Sequence, residues 1–154
     1  MPLEPGSTAP DFELEAHNGE KIKLSSLKGS IVVLYFYPRA MTSGCTREAI
    51  RFNELLEEFR KRNAVVLGVS TDPVERLKKF AEKYELRFSL LSDPEGRVAS
   101  LYGVLRKRAK RLSAERVTFI IDPEGRIASV LRNIRPAEKH ADLALEEVKK
   151  LSSQ

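Results

Sequence analysis

Two unbroken apolar runs dominate the pattern of hydrophobic and polar positions. They occupy residues 31–37 and 64–69, the second strand extending to Ser70, and neither alternates with polar positions. A strand that reads as a continuous apolar run is covered on both faces, as happens in sheets with parallel strands. Pro38 follows the first run and cannot donate a ladder hydrogen bond, so we expect it to end the strand and begin a loop.

Shorter segments predict the remaining strands. An alternating pattern on both sides of a polar turn at 17–20 predicts a hairpin with half-buried strands. The sequence Asp-Pro-Glu-Gly at 122–125 suits a β-turn between two antiparallel strands. The eight residues at 122–129 occur again at 93–100 with one residue changed. We interpret the two copies as one turn type used twice rather than as an internal duplication. The strands expected from these patterns are 11–14, 21–24, 88–91, 116–121 and 127–131.

Apolar residues at steps of three and four predict the helices. One amphipathic helix should run from Cys45 to about Arg62, with Cys45 on its apolar side and Ile50 turned away. A second should follow a cap at 71–73, with proline at its first helical position. A short helix should lead through Tyr102, and a last one should start at Pro136. Strands and helices in this order predict an α/β sandwich with a central mixed sheet.

Composition limits the classes of protein to consider. The 154 residues are 42% hydrophobic, which suits a single domain over 1–154. One cysteine excludes an intrachain disulfide and a Cys-based zinc site, and with only His17 and His140 in addition we expect no metal and no cofactor. We interpret these histidines as a turn residue and a helix-surface residue without a role. No apolar run is long enough for a signal or a membrane span, which favours a soluble cytoplasmic protein.

A basic run at 106–111 supplies much of the net charge of +5. Such a cluster can bind nucleic acid, anionic lipid or an acidic protein. No stacking aromatic residues accompany it, and charge runs are usually solvated. We therefore predict a solvated loop between a helix and a strand, and no nucleic-acid or membrane partner.

The position of Cys45 is the strongest chemical signal. It lies after a buried strand and a short loop, at the start of a helix, where unpaired amide hydrogens and the helix dipole favour a thiolate. Taken alone, an inert buried thiol is the commoner situation, since free cysteine is among the most buried residue types. The neighbouring residues decide between these two interpretations.

The spacing of Pro38, Thr42 and Cys45 after the first buried strand resembles the active-site signature of peroxiredoxins, which have a thioredoxin-like fold. The nearest resemblance is to the peroxiredoxin Q group, also called bacterioferritin comigratory proteins. Three further stretches resemble that group, so that the likeness runs through nearly the whole chain. They are Thr-Ala-Pro-Asp-Phe at 8–12, Gly-Val-Ser-Thr-Asp at 68–72 and Arg-Val-Thr-Phe-Ile-Ile-Asp at 116–122.

The resemblance implies a peroxidase chemistry. Cys45 would attack a hydroperoxide and become a sulfenic acid. Arg116 would stabilise the thiolate, and Thr42 would hold the peroxide. The backbone amides of Gly44 and Cys45 would stabilise the developing charge. Pro38 would shield the sulfur from water.

A supporting role follows for one acidic residue. Glu48 lies about one helical turn after the cysteine and would pair with an arginine, either Arg116 or Arg47.

One departure from the group changes the expected mechanism. Many members carry a resolving cysteine five residues after the reactive one, and here that position is Ile50, either native or an engineered replacement. The resemblance therefore implies a one-cysteine mechanism, in which an external thiol or a thioredoxin-like reductant attacks the sulfenic acid. A disulfide between the Cys45 residues of two subunits is the alternative, and the protein would act as a monomer or a homodimer. Ser43 also replaces a proline usual in the group.

Competing functions predict different features. A thiol-disulfide oxidoreductase would need Cys-x-x-Cys, but Thr42 occupies the first of those positions. A non-enzymatic binding or chaperone-like protein on the same fold would use the basic run at 106–111 and would not need Cys45.

Overall fold

The two apolar runs form neighbouring inner strands of a seven-stranded sheet. The structure is a computed structural model, and it describes residues 1–152. Its strands are β1 (Glu13–Ala16), β2 (Lys21–Lys23), β3 (Ile31–Phe36), β4 (Ala64–Ser70), β5 (Ser89–Ser92), β6 (Leu105–Arg108), β7 (Arg111–Ala114), β8 (Val117–Ile121) and β9 (Ile127–Leu131). Its helices are α1 (Ser43–Glu54), α2 (Leu56–Lys61), α3 (Val74–Lys83), α4 (Arg97–Leu101) and α5 (Lys139–Ser152), besides a 3₁₀ turn at Leu24–Leu27.

The sheet is mixed, with the order β2-β1-β5-β4-β3-β8-β9. Strands β3, β4 and β5 are parallel, and the other pairs are antiparallel. The prediction of an α/β fold with a central mixed sheet and an N-terminal hairpin is therefore confirmed.

Each face of the sheet carries its own hydrophobic core. All six residues of β3 are buried and alternate between the two cores. One face packs against α1, α2, α3 and α5, whereas α4 and the N-terminal segment cover the other. This is why the run from 31 to 37 shows no polar alternation. Among residues 1–152, no helix is both long and apolar enough to cross a membrane.

A glycine in β4 lets an aromatic stack form between the sheet and α1. Gly68 lies opposite Tyr35 in the parallel register, and a Cβ atom on it would lie 2.8 Å from the Tyr35 ring. Tyr35 in turn stacks on Phe52 of α1, with the ring centroids 4.3 Å apart. The stack fixes α1, and with it the residues at the start of that helix, against the centre of the sheet.

Several predicted boundaries are wrong. The helix expected from Cys45 to Arg62 is broken at Leu55, whose ψ of 2° separates α1 from α2. The last helix begins at Lys139 rather than at Pro136. Pro73 precedes α3 as its N-cap residue instead of occupying the first helical position, and Asp72 does not cap that helix. The first strand starts at residue 13 rather than 11.

The basic run forms a β-hairpin and not a loop. Strands β6 and β7 pair with each other in a separate two-stranded sheet, joined by a turn at which Ala109 has a φ of 53°. Residues 106–111 are all exposed, so their solvation agrees with the prediction although their conformation does not.

The topology brings two distant segments to one edge of the sheet. Strand β3 leads into the loop that precedes α1, and its antiparallel neighbour β8 starts at the same edge, because Phe36 lies opposite Val117. Arg116 immediately precedes β8. The residues that follow β3 and those that precede β8 are consequently neighbours in space.

Candidate active site

Two hydrogen bonds to the backbone of Ala40 hold the loop between β3 and α1 in place. The Ala40 N–H donates to Asp72 Oδ2 at 2.7 Å, and its carbonyl accepts from Arg76 Nη2 at 2.7 Å. Asp72 is buried and also accepts from Ser70 Oγ. Asp72 thus positions this loop from the end of β4, a role that the sequence pattern at 71–73, which predicts a helix cap, does not indicate.

Cys45 lies in the first turn of α1 with 1% of its surface exposed. The first helical hydrogen bond runs from the Thr46 N–H to the Thr42 carbonyl at 2.9 Å. The N–H groups of Gly44 and Cys45 precede that bond, so helix geometry gives them no carbonyl partner within α1. The sulfur therefore sits at a helix start with free donors, as the sequence suggested.

Arg116 reaches the sulfur from the start of β8. Its Nη2 lies 3.3 Å from Cys45 Sγ, and its Nη1 donates to Glu48 Oε1. The structure thus selects Arg116 as the partner of Glu48, because Arg47 instead contacts Glu138 at 3.3 Å. One planar guanidinium joins the sulfur and the carboxyl group of Glu48, a geometry that the fork of an arginine allows and a lysine cannot reproduce.

Burial governs the electrostatics of this cluster. Glu48 is fully buried, and this desolvation raises the pKa of its carboxyl to about 8, although the Arg116 charge acts in the opposite direction. Burial alone would lower the pKa of Arg116, but Glu48 and Cys45 outweigh it and raise that pKa. Arg116 therefore remains a cation beside the sulfur.

His140 belongs to the same buried cluster, contrary to the sequence analysis. It is 1% exposed, its Nδ1 lies 2.9 Å from Thr118 Oγ1, and the same nitrogen is 3.9 Å from Glu48 Oε2. Burial, and after it the Arg116 charge, lowers the pKa of His140 to about 4, so the ring is neutral at pH 7. Its place on one helical face with Ala141, Ala144 and Val148 was the signal that could have identified it.

His17, by contrast, lies at the β1–β2 turn as predicted. Its Nδ1 accepts from the Leu90 N–H at 3.2 Å. Among residues 1–152, no group of three His, Cys, Asp or Glu side chains could hold a metal ion.

Thr42 and Gly44 shortly precede Cys45, at the start of α1. Thr42 is exposed, and its hydroxyl donates to the Arg39 carbonyl at 2.8 Å, which leaves the oxygen lone pairs for a ligand. Gly44 packs so closely that a Cβ atom on it would lie 3.2 Å from Arg116 Nη2. Ile50 is half buried and does not belong to the buried residues of α1.

A polar pocket of about 420 Å³ adjoins the cluster. Pro38 and Arg116 line it on the side of the sulfur, and His140 and Ala137 line it from α5 and the segment before it. Four arginines from α1, from β6 and from the segment after β9 also line it: Arg47, Arg106, Arg132 and Arg135. The pocket is open to solvent and rich in cationic groups.

A lone buried sulfur at a helix start, held by a guanidinium on a sheet of this topology, is an arrangement suited to thiol-dependent peroxide reduction. Comparison with known proteins points the same way. The model of the AhpC/TSA family matches residues 5–130. Peroxiredoxin Bcp of Bacillus subtilis (strain 168) is 42% identical over 158 residues, with all of both chains covered.

Solved structures resemble the whole fold. Peroxidoxin BcpB from Mycobacterium tuberculosis has a TM-score of 0.91 and 40% identity, with 97% of this chain and 98% of that chain covered. Peroxiredoxin Q of Xanthomonas campestris has a TM-score of 0.87 and 33% identity, with 99% and 98% covered. The chain belongs to the AhpC/TSA family, and within it to the peroxiredoxins, which are thiol-dependent peroxidases. The resemblance seen in the sequence is thereby confirmed.

Proposed function

We propose that this protein reduces hydrogen peroxide and organic hydroperoxides at Cys45 by a one-cysteine mechanism. The observation that carries the proposal is the 3.3 Å contact between Arg116 Nη2 and Cys45 Sγ at the start of α1. A cation and free backbone donors beside a thiol stabilise its thiolate, which is the nucleophilic form.

In the first step, the Cys45 thiolate attacks one oxygen of the hydroperoxide. The S–O bond forms as the O–O bond breaks, and the departing oxygen takes a proton and leaves as water or an alcohol. Arg116 and the amide hydrogens of Gly44 and Cys45 stabilise the negative charge that moves onto the oxygens. Thr42 orients the peroxide, and Pro38 limits the access of water.

Glu48 supports this step through Arg116. It holds the guanidinium by accepting from Nη1, so that Nη2 is directed at the sulfur. Asp72 and Arg76 act at greater distance by fixing the loop that contains Pro38.

The sulfenic acid is then resolved from outside the chain. Cys45 is the single cysteine of the sequence, and Ile50 stands at the usual resolving position. A first thiol displaces the sulfenic oxygen as water and forms a mixed disulfide. A second thiol then reduces that disulfide and regenerates the Cys45 thiol. A thioredoxin-like protein can serve as the reductant, and the protein acts as a monomer or a homodimer.

Peroxide removal with dithiothreitol as the reductant tests this assignment. We expect the wild-type protein to turn over, Cys45→Ser to be inactive and Arg116→Ala to lose most of its rate. Mass spectrometry after excess peroxide without thiol should show oxidation beyond the sulfenic acid, because nothing within the chain traps that intermediate. Full activity in Cys45→Ser would refute the proposal.

A further inference from the structure

The arginine-lined pocket beside Arg116 has a charge pattern that peroxide chemistry leaves unexplained. Hydrogen peroxide is small and neutral, so it needs neither a volume of about 420 Å³ nor several cations. A volume of this size is typical of sites for small organic molecules.

Two of the cations in the pocket lack carboxylate partners. Arg106 lies 3.8 Å from Glu115, and Arg47 contacts Glu138. Within the described residues, neither Arg132 nor Arg135 makes an ion pair or a side-chain hydrogen bond, and both are exposed after β9. These two guanidiniums are therefore available to an anionic ligand.

A buried nitrogen in the same wall also lacks a partner. His140 lines the pocket although it is 1% exposed, and its Nδ1 is occupied by Thr118. Its Nε2 has no hydrogen-bond partner among the described residues. Buried polar atoms are seldom left unpaired, and a carboxylate in the pocket would supply an acceptor for an Nε2–H.

The position of the pocket connects it to the reaction. Arg116 lines the pocket and contacts the sulfur, and Ala137 of the pocket wall lies beside Gly44, next to Cys45 in the chain. A molecule bound in the pocket would therefore contact the same guanidinium that contacts Cys45 Sγ.

We propose that this pocket binds the thiol that resolves the Cys45 sulfenic acid, and that it selects small thiols carrying two or more carboxylates. The inference rests on the peroxidase function proposed above. Arg132 and Arg135 bind the carboxylates, and the thiolate attacks Cys45 Sγ. The S–S bond forms as the S–O bond breaks, and the hydroxide leaves as water with a proton. A second thiolate attacks the thiol-derived sulfur, which releases the Cys45 thiolate and a disulfide of the two small thiols.

The experiment measures only the step in which the thiol attacks the Cys45 sulfenic acid. Protein oxidised with one equivalent of hydrogen peroxide is mixed with mercaptosuccinate or with 2-mercaptoethanol, and the mixed disulfide is timed by quench and mass spectrometry. The rate constants are compared at equal thiolate concentrations, because thiols differ in pKa. The measured quantity is the ratio of the mercaptosuccinate rate constant to the 2-mercaptoethanol rate constant.

We expect a ratio well above one in the wild type, and a decrease of about tenfold in the double variant Arg132→Gln/Arg135→Gln, since each lost cation near an anion accounts for about threefold or more. Arg126→Gln is the matched control, because Arg126 is an exposed arginine at the other end of β9 that makes no ion pair with any residue from 1 to 152. It should keep the wild-type ratio.

A second control separates the pocket from the overall positive charge. Lys107→Gln/Lys110→Gln removes two charges from the β6–β7 hairpin, outside the pocket wall. An equal decrease in this variant, or an unchanged ratio in Arg132→Gln/Arg135→Gln, would overturn the pocket proposal. Failure of the wild-type protein to form any sulfenic acid would instead refute the peroxidase assignment on which it rests.

Discussion

Arg116 and Cys45 are 71 residues apart in the chain, yet Arg116 Nη2 lies 3.3 Å from Cys45 Sγ. The pairing of β3 with β8 creates this contact, because it places the loop after one strand beside the residue before the other. The same guanidinium binds Glu48 with its second nitrogen.

Replacing Arg116 by lysine should distinguish the effect of its charge on the reaction rate from the effect of its geometry. Arg116→Lys keeps the positive charge but cannot contact the sulfur and Glu48 at once. We expect the second-order rate constant with hydrogen peroxide, measured by stopped flow, to fall about a hundredfold. Arg51→Lys is the matched control, since Arg51 binds Asp142 on the outer side of α1. Equal rates for both variants would show that the fork geometry is unimportant.

Gly44→Ala should impair the reaction with little effect on stability. The new Cβ atom would lie 3.2 Å from Arg116 Nη2, so the guanidinium must shift by a few tenths of an ångström. Small displacements of a positioned group lower rates, and we expect a loss of about tenfold. Urea unfolding should show no loss of stability, because alanine is a better helix residue than glycine. The neighbouring Ser43→Ala should retain the wild-type rate.

Glu48→Gln should change how stability depends on pH. Burial raises the pKa of Glu48 to about 8 in the folded protein, against an ordinary value of 4.5. Between these values the unfolded chain releases the proton and the folded protein keeps it, so this group lowers stability as the pH rises from 4.5 to 8. Glutamine cannot titrate. The free energy of unfolding of the variant should therefore decrease less than that of the wild type over this range, and parallel curves would contradict the prediction.

His140→Asn should change the pH dependence of stability in the opposite sense to Glu48→Gln. The pKa of His140 in the folded protein is lowered to about 4 from 6.5. Between these pH values His140 is therefore protonated in the unfolded chain and neutral in the folded protein. The stability from this group is complete above pH 6.5 and is lost as the pH falls to 4, by about 3 kcal/mol in all. Asparagine keeps a hydrogen bond for Thr118 but does not titrate. Denaturant unfolding at several pH values should show a shallower acid loss of stability in the variant. His17→Asn should change the acid loss less, because burial also lowers the pKa of His17 but not to the same extent.

The central strands and the position of the sulfur could be predicted because local signals determine them. The apolar residues of β3 and β4 require burial on two faces, and the first strand ends at Phe36, one residue before the end predicted from Pro38. The contact with Arg116 was not a local signal. It was expected only through the resemblance to a known family, since spacing alone does not bring 45 and 116 together.

Other features of the fold depend on contacts between remote residues, which the spacing of apolar residues along the chain does not show. The apolar stripe continues through Leu55, so the pattern could not show the break between α1 and α2. The basic hairpin β6–β7 escaped prediction because charged residues on both of its faces hide the alternation of a strand. His140 was assigned to the surface because histidine is polar, whereas Thr118, its partner on β8, is remote in the sequence.

The strand register described for β3 and β8 also determines when the sulfur becomes reactive. A chain that has not yet paired these strands has no cation beside Cys45 and no formed helix start. Its thiol then lacks the donors that stabilise a thiolate, and it reacts slowly. On the mechanism proposed above, the cysteine gains its reactivity only in assembled molecules, so that an unfolded chain is protected from its oxidation.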